Sequence, residues 1–152
     1  MLFFGTGISK NKTIHKTYSY FTKQLKPEFV EIEGLKYYLD DKDSLGLSVS
    51  RTHEKTETEI VKQVVKEGDI VIDVGAHIGY YTLIFAKIVG NKGKVFAFEA
   101  NKKNFEVLEK NVLKNNFKNI ICENMIVSDK IGKVQMYSLD SSTANRLFDE
   151  GN

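Results

Sequence analysis

Between Asp69 and Val74 the chain runs through Ile70, Val71, Ile72 and Val74, with Asp73 the single polar interruption. A run this short and this apolar suits a strand covered on both faces, as in a parallel sheet. It leads straight into Gly75-Ala76-His77-Ile78-Gly79, after which Tyr80 to Val89 reads as a helix. A Gly90-Asn91-Lys92-Gly93 loop then opens a second apolar strand, Val95-Phe96-Ala97-Phe98, closed by Glu99. Asn101 is placed to cap another helix with Phe105, Leu108 and Val112 on one face. A third strand is expected from about Asn119 to Val127. Strand–helix–strand–helix–strand with short loops implies right-handed crossovers. The fold class is therefore α/β, a Rossmann-like parallel sheet with helices on both faces.

Upstream, Val30 and Ile32 alternate with Glu31 and Glu33, and Leu35, Tyr37 and Leu39 with Lys36 and Tyr38. Gly34 between the two runs predicts an N-terminal β-hairpin. Thr56 and Glu59 have capping-box spacing ahead of Ile60, Val61, Val64 and Val65 on one helical face. Gly68 is suited to end that helix in a left-handed conformation. Residues 1–28, rich in Lys and Thr, are expected to be an appendage to a domain over 29–152. After Asp129-Lys130-Ile131-Gly132 comes an alternating segment, Lys133 to Tyr137. In the doubly wound order the first strand is central, and a partner along its other side is not evident. The domain thus reads as incomplete at its C-terminus, unless a second copy, another partner or the hairpin covers an otherwise apolar edge.

Charge and composition narrow the function. Twenty-two basic and 20 acidic residues leave a net charge of +2, too balanced for an electrostatic nucleic-acid footprint, so no nucleic-acid partner is expected. The lone Cys122 cannot form an internal disulfide, and no apolar run approaches the ~20 residues of a membrane span. A cytoplasmic protein without a membrane partner is the expectation. His15, His53, His77 and Cys122 lack metal-ligand spacing, so no metal site is expected. Cys122 reads as a small buried hydrophobe, and Tyr80 and Tyr81 as helix packing. Lys102, Lys103, Lys110 and Lys114 read as a solvated helix face.

The chemistry is concentrated at Asp73-x-Gly75-x-x-x-Gly79. Open α/β sheets bind ligands at the carboxyl ends of their strands, where this turn lies. Gly75 and Gly79 let backbone approach a ligand, and N–H groups at the following helix start favour a negative group. A dinucleotide fingerprint beginning at Gly75 would need glycines where His77 and Tyr80 stand. A P-loop would need Lys-Ser or Lys-Thr after Gly79. Glu99, 20 residues beyond Gly79 at the end of the next strand, can accept hydrogen bonds from both hydroxyls of a ribose.

Taken in order, several segments resemble class I S-adenosylmethionine-dependent methyltransferases, and specifically the FkbM type. They are Leu39–Ser44, the Glu54–Glu59 helix start, Gly68–Leu83, Val95–Glu99, Asn111–Asn116 and Val127–Gly132, spanning about residues 35–140. The resemblance implies S-adenosylmethionine as cofactor, bordered by Gly75, Ala76, His77 and Gly79 at its methionine part and by Glu99 at its ribose. Thr82 and Glu54 would lie near the amino-acid end, Ser128 and Asp129 near the adenine, and Asp73 would support the turn and reach the ammonium. Two positions depart from the type: His77 stands where Asn is usual, and Ala100 where Pro is usual. The Asp-x-Glu-Gly segment of that type has no counterpart here, and no residue is assigned as catalytic base. The implied activity is O-methylation of a small-molecule or glycan hydroxyl. The alternative is a non-catalytic cofactor-binding or interaction module.

Overall fold

The computed structural model describes residues 28–130 and Gly132, together with the backbone of residues 135–138 and 145–148. Apart from Glu28, the expected appendage lies outside the described residues. Strands β1 (Phe29–Ile32) and β2 (Leu35–Tyr38) pair antiparallel with Ile32 opposite Leu35. Their turn, Glu33-Gly34, has φ of 50° and 79°, the double positive φ of a two-residue hairpin loop. Next come α1 (Leu47–Ser50), α2 (Lys55–Val64), β3 (Ile70–Val74), α3 (Tyr80–Val89), β4 (Lys94–Phe98), α4 (Lys102–Lys114) and β5 (Ile120–Glu123). A second antiparallel pair, β6 (Gln135–Ser138) and β7 (Asn145–Phe148), follows.

The expected parallel sheet is present, in the order β3-β4-β5, with Val71 beside Val95 and Val95 beside Ile120. Its third strand stops at Glu123 rather than Val127. Ala86 and Val89 of α3 pack on Val95, and Leu108 of α4 packs on Ala97. Val95 and Ala97 stand two apart and so share a face of the strand. Both crossover helices therefore cover one side of the sheet, as two right-handed crossovers stepping the same way require. On the opposite face Ile70, Ile72 and Val74 are 74%, 65% and 59% exposed, so among the described residues that face carries no helix.

The hairpin forms a further layer outside the helices and does not reach the β3 edge. Val30, Leu35 and Tyr37 are buried with Leu47, Ile78, Tyr80 and Leu83, each such side chain contributing roughly 1.5–3 kcal/mol. Two asparagines one turn apart on α4 secure β2. Asn111 Oδ1 accepts from the Tyr38 amide (2.6 Å) while its Nδ2 donates to the Tyr38 carbonyl (3.1 Å). Asn115 repeats this with Lys36, at 2.8 and 2.7 Å. Residues i and i+2 of a strand and i and i+4 of a helix rise by similar lengths, roughly 6 Å. The two side-chain amides thus stand in for a neighbouring strand.

The capping box does not form. The N-cap of α2 is Glu54, in a left-handed conformation, and Thr56 falls inside the first turn. Half of the face chosen from periodicity is turned to solvent, with Ile60 and Val64 at 54% and 68% exposure, while Val65 packs against Ala86, Val89 and Val95. Val61 packs on the core. Gly68 closes the turn before β3 instead of capping the helix, its amide donating to the Val89 carbonyl at 2.9 Å. None of the helices among the described residues is long and apolar enough to cross a membrane.

Candidate functional site

The carboxyl ends of β3 and β4 come together at the glycine loop. The amides of Gly75 and Ala76 both donate to the Phe98 carbonyl, at 2.9 and 3.0 Å, so the loop is fastened to the end of β4. Glu99 follows Phe98 and is buried, at 6% exposure. Its Oε2 accepts from the His77 amide (2.7 Å) and its Oε1 from the Asn101 amide (2.8 Å). Glu99 thus lies on the same rim as Gly75 and Gly79. An ionised carboxylate offers about four lone-pair sites, and these two bonds leave room for more acceptance.

Loop conformation follows from residue type. Gly75, His77 and Gly79 have φ of 80°, 53° and 89°. A Cβ on Gly75 would meet nothing within 4 Å, whereas one on Gly79 would stand 2.6 Å from Leu108 Cδ1. Gly75 therefore borders open space and Gly79 a packed helix. Most of the loop's own amides are taken. Those of Gly75, Ala76, His77 and Gly79 are all committed to acceptors in the protein, because closing so tight a loop consumes its own donors.

Asp73, near the end of β3, accepts from the Thr82 hydroxyl at 2.6 Å. Burial pushes its carboxyl up; the Thr82 bond opposes this and the Glu99 charge adds to it. On the other side of His77, Ser44 Oγ donates to Asp40 Oδ2 (2.7 Å) and lies 3.3 Å from His77 Nε2. Burial would raise the Asp40 carboxyl, but bonds from Ser44 and Lys42 and the nearby His77 outweigh it and hold it below the ordinary range. Because the Ser44 proton goes to Asp40, its oxygen is left to accept from His77 Nε2–H.

Of the residues singled out from sequence, Asp73, Gly75, Ala76, His77, Gly79, Thr82 and Glu99 form one cluster. Glu54 is exposed and reaches the first turn of α3 through the Tyr81 hydroxyl, at 3.1 Å. Ser128 and Asp129 are exposed and make local contacts, the Ser128 hydroxyl donating to Asp129 Oδ1 (3.3 Å) and accepting from the Lys130 amide (3.3 Å). Asp40, Ser44, Asn111 and Asn124 escaped sequence reasoning as site supports. Asn124 donates to the carbonyls of Glu99 (2.7 Å) and Ala100 (3.2 Å), holding the turn where proline is usual. For Asn111 and Asn115 a signal existed: two asparagines one turn apart, the first inside a helix, where that residue type is disfavoured, and the second at its C-cap. Cys122 is half-buried against Ala97 and Leu108, and burial pushes its thiol up to about 11.

A family model described as the TRM5/TYW2 methyltransferase domain matches residues 29–143. Among solved structures, M. jannaschii TYW2 in complex with AdoMet is 25% identical with a TM-score of 0.50, covering 66% of this chain and 42% of that one. P. horikoshii TYW2 in complex with MeSAdo is 22% identical with a TM-score of 0.55, covering 83% of this chain and 52% of that one. The chain thus spans about half the length of these relatives. No curated protein sequence matches it. The methyltransferase part of the resemblance holds, but the matching type is TRM5/TYW2 and not FkbM. The expectation of no nucleic-acid partner is overturned, since members of the matching family methylate tRNA. Net charge averages over the chain, and locally five lysines and no acidic residue precede Glu28. The chain belongs to the TRM5/TYW2 methyltransferase domain family.

Proposed function

We propose that this chain is an S-adenosylmethionine-dependent methyltransferase domain whose acceptor is a nucleoside of tRNA. The observation that carries the reading is the buried Glu99 carboxylate, fixed by two amides beside the open side of Gly75. That pairing fits the cofactor. Glu99 would take the ribose hydroxyls, and Gly75, Ala76, His77 and Gly79 would border the methionine portion. Asp73 and Thr82 would serve its amino-acid end together with Glu54, and Ser128 and Asp129 its adenine. When bound, the cofactor supplies an electrophilic methyl group on a sulfonium. The chain's own contribution is orientation, which in well-aligned reactions supplies ~7–11 kcal/mol. An RNA acceptor agrees with the acid-free, lysine-bearing first 27 residues, since phosphate contacts need local positive charge and not a high net charge. The comparisons offer no support for a small-molecule or glycan hydroxyl as acceptor. A reducing, cytoplasmic setting is the one the single cysteine favours.

Calorimetry with S-adenosylmethionine tests the cofactor half of this reading. Glu99→Gln keeps the size but loses charge and acceptor capacity, and is expected to weaken binding by about tenfold or more, at least one charge-assisted bond's worth. Unchanged affinity would refute the role of Glu99. Transfer of labelled methyl to tRNA, falling steeply with added salt, is expected on the acceptor side. Transfer to free sugars or other small hydroxyl compounds and not to tRNA would refute it.

A further inference from the structure

We propose that Asn111 is a positioning residue whose side-chain amide ties hairpin strand β2 to the glycine loop and so keeps that loop in its cofactor-binding shape. The inference rests on the reading of the loop as the cofactor's cradle. Asn111 lies in α4 and is wholly buried, at 0% exposure. Its Oδ1 accepts from the Tyr38 amide at 2.6 Å, and its Nδ2 donates both to the Tyr38 carbonyl (3.1 Å) and to the Ile78 carbonyl (2.7 Å). An asparagine amide has two N–H donors, and here one goes to the hairpin and the other to the loop.

Ile78 sits between His77 and Gly79, both at positive φ, with Gly75 the third such residue in a five-residue loop. A backbone held in sparsely populated conformations persists only where its surroundings over-determine it. Ile78 precedes the N-cap of α3, Gly79, so its buried carbonyl needs an acceptor's partner from outside the helix. Asn111 supplies it. Asn115, one turn later, makes the same two-bond clasp with Lys36, but its donor group otherwise reaches the Asn111 carbonyl, at 2.8 Å. The two residues share the work of fixing β2, and the bond to the loop belongs to Asn111. This pair separates a role in cofactor binding from a role in stability.

The test compares Asn111→Ala with Asn115→Ala in the full chain. Both are expected to lower the melting temperature. Asn111→Ala alone is expected to weaken S-adenosylmethionine binding, by about tenfold, with Asn115→Ala within about twofold of the parent, the size of one hydrogen bond's effect. Should Asn111→Ala fail to fold, amide exchange on the unaltered chain decides. Saturating cofactor should slow exchange of the Tyr38 amide, bonded to Asn111, more than that of the Lys36 amide, bonded to Asn115. Equal affinity in the two variants, or equal protection of the two amides, overturns the role of Asn111 while leaving the cofactor reading intact. No binding by the parent chain overturns both together.

Discussion

Asp73 combines a structural cost with a proposed role at the cofactor. Burial favours its neutral form over its carboxylate, and the Glu99 charge adds to that preference against the Thr82 hydrogen bond. With its pKa above the ordinary 3.8, the folded chain holds this proton more tightly than the unfolded chain. Its contribution to stability is therefore largest below the ordinary carboxylate range and declines as pH rises through the raised value. Asp73→Asn keeps an oxygen to accept from Thr82 and removes the charge. It should raise the melting temperature at pH 7, with the gain shrinking as pH falls toward the ordinary carboxylate value, while weakening cofactor binding through loss of the proposed ammonium contact. A melting temperature below the parent's at pH 7 would show that ionised Asp73 stabilises the fold. The place of Asp73 beside the glycine loop was legible in the sequence because it follows from its position near a strand end. The partners of Ser44 and Asn111 were not, because His77 and Ile78 each lie 33 residues away. Such pairs leave no local pattern.

At the scale of elements, β3, α3 and β4 were legible nearly to the residue, since an apolar run, a glycine turn and a second apolar run leave few alternatives. Helix α2 was less so. Its start is set by Glu54 in a left-handed conformation, and the Thr58 hydroxyl donates to the His53 carbonyl at 2.9 Å. The Thr56–Glu59 spacing matched a motif without the backbone to use it. The loop between β3 and α3 offers a sharper test, because its two glycines do different work. At Gly75 a methyl group meets open space, so Gly75→Ala carries only the left-handed backbone cost, roughly 1–2 kcal/mol. It also projects into the proposed cofactor space. At Gly79 the same change adds a 2.6 Å collision with Leu108 to that cost, and overpacking of this kind takes a further ~1–3 kcal/mol. Gly75→Ala should therefore lose more cofactor affinity per unit of lost stability than Gly79→Ala. Denaturant titration beside calorimetry measures the two, and the opposite ranking would mean that Gly75 faces protein.

At the scale of the whole molecule, the side of the sheet left bare among the described residues should govern behaviour in solution. Right-handed crossovers put α3 and α4 on one face, and the hairpin adds a third layer to that same side. The other face keeps Ile70, Ile72, Val74 and Ile121 exposed, and among the described residues β3 has no hydrogen-bonded neighbour beyond it. The continuous apolar composition of β3 was legible as a sign of burial, yet sequence could not say what buries it, because a strand's pattern records a covered face and not the identity of the cover. An apolar patch along an unpaired strand edge is a template for association with further chains. Ile72 sits in the middle of this face at 65% exposure. Ile72→Lys leaves the helical side of the sheet untouched, so its effect on folding stability should stay within about 0.5 kcal/mol, as for most surface changes. Light scattering of the parent chain should show an average mass that climbs with concentration, and Ile72→Lys should flatten that climb without shifting the melting temperature. A parent chain that holds monomeric mass at high concentration would mean that the face is already covered by the chain's own residues. A variant that unfolds would mean that Ile72 is part of the core.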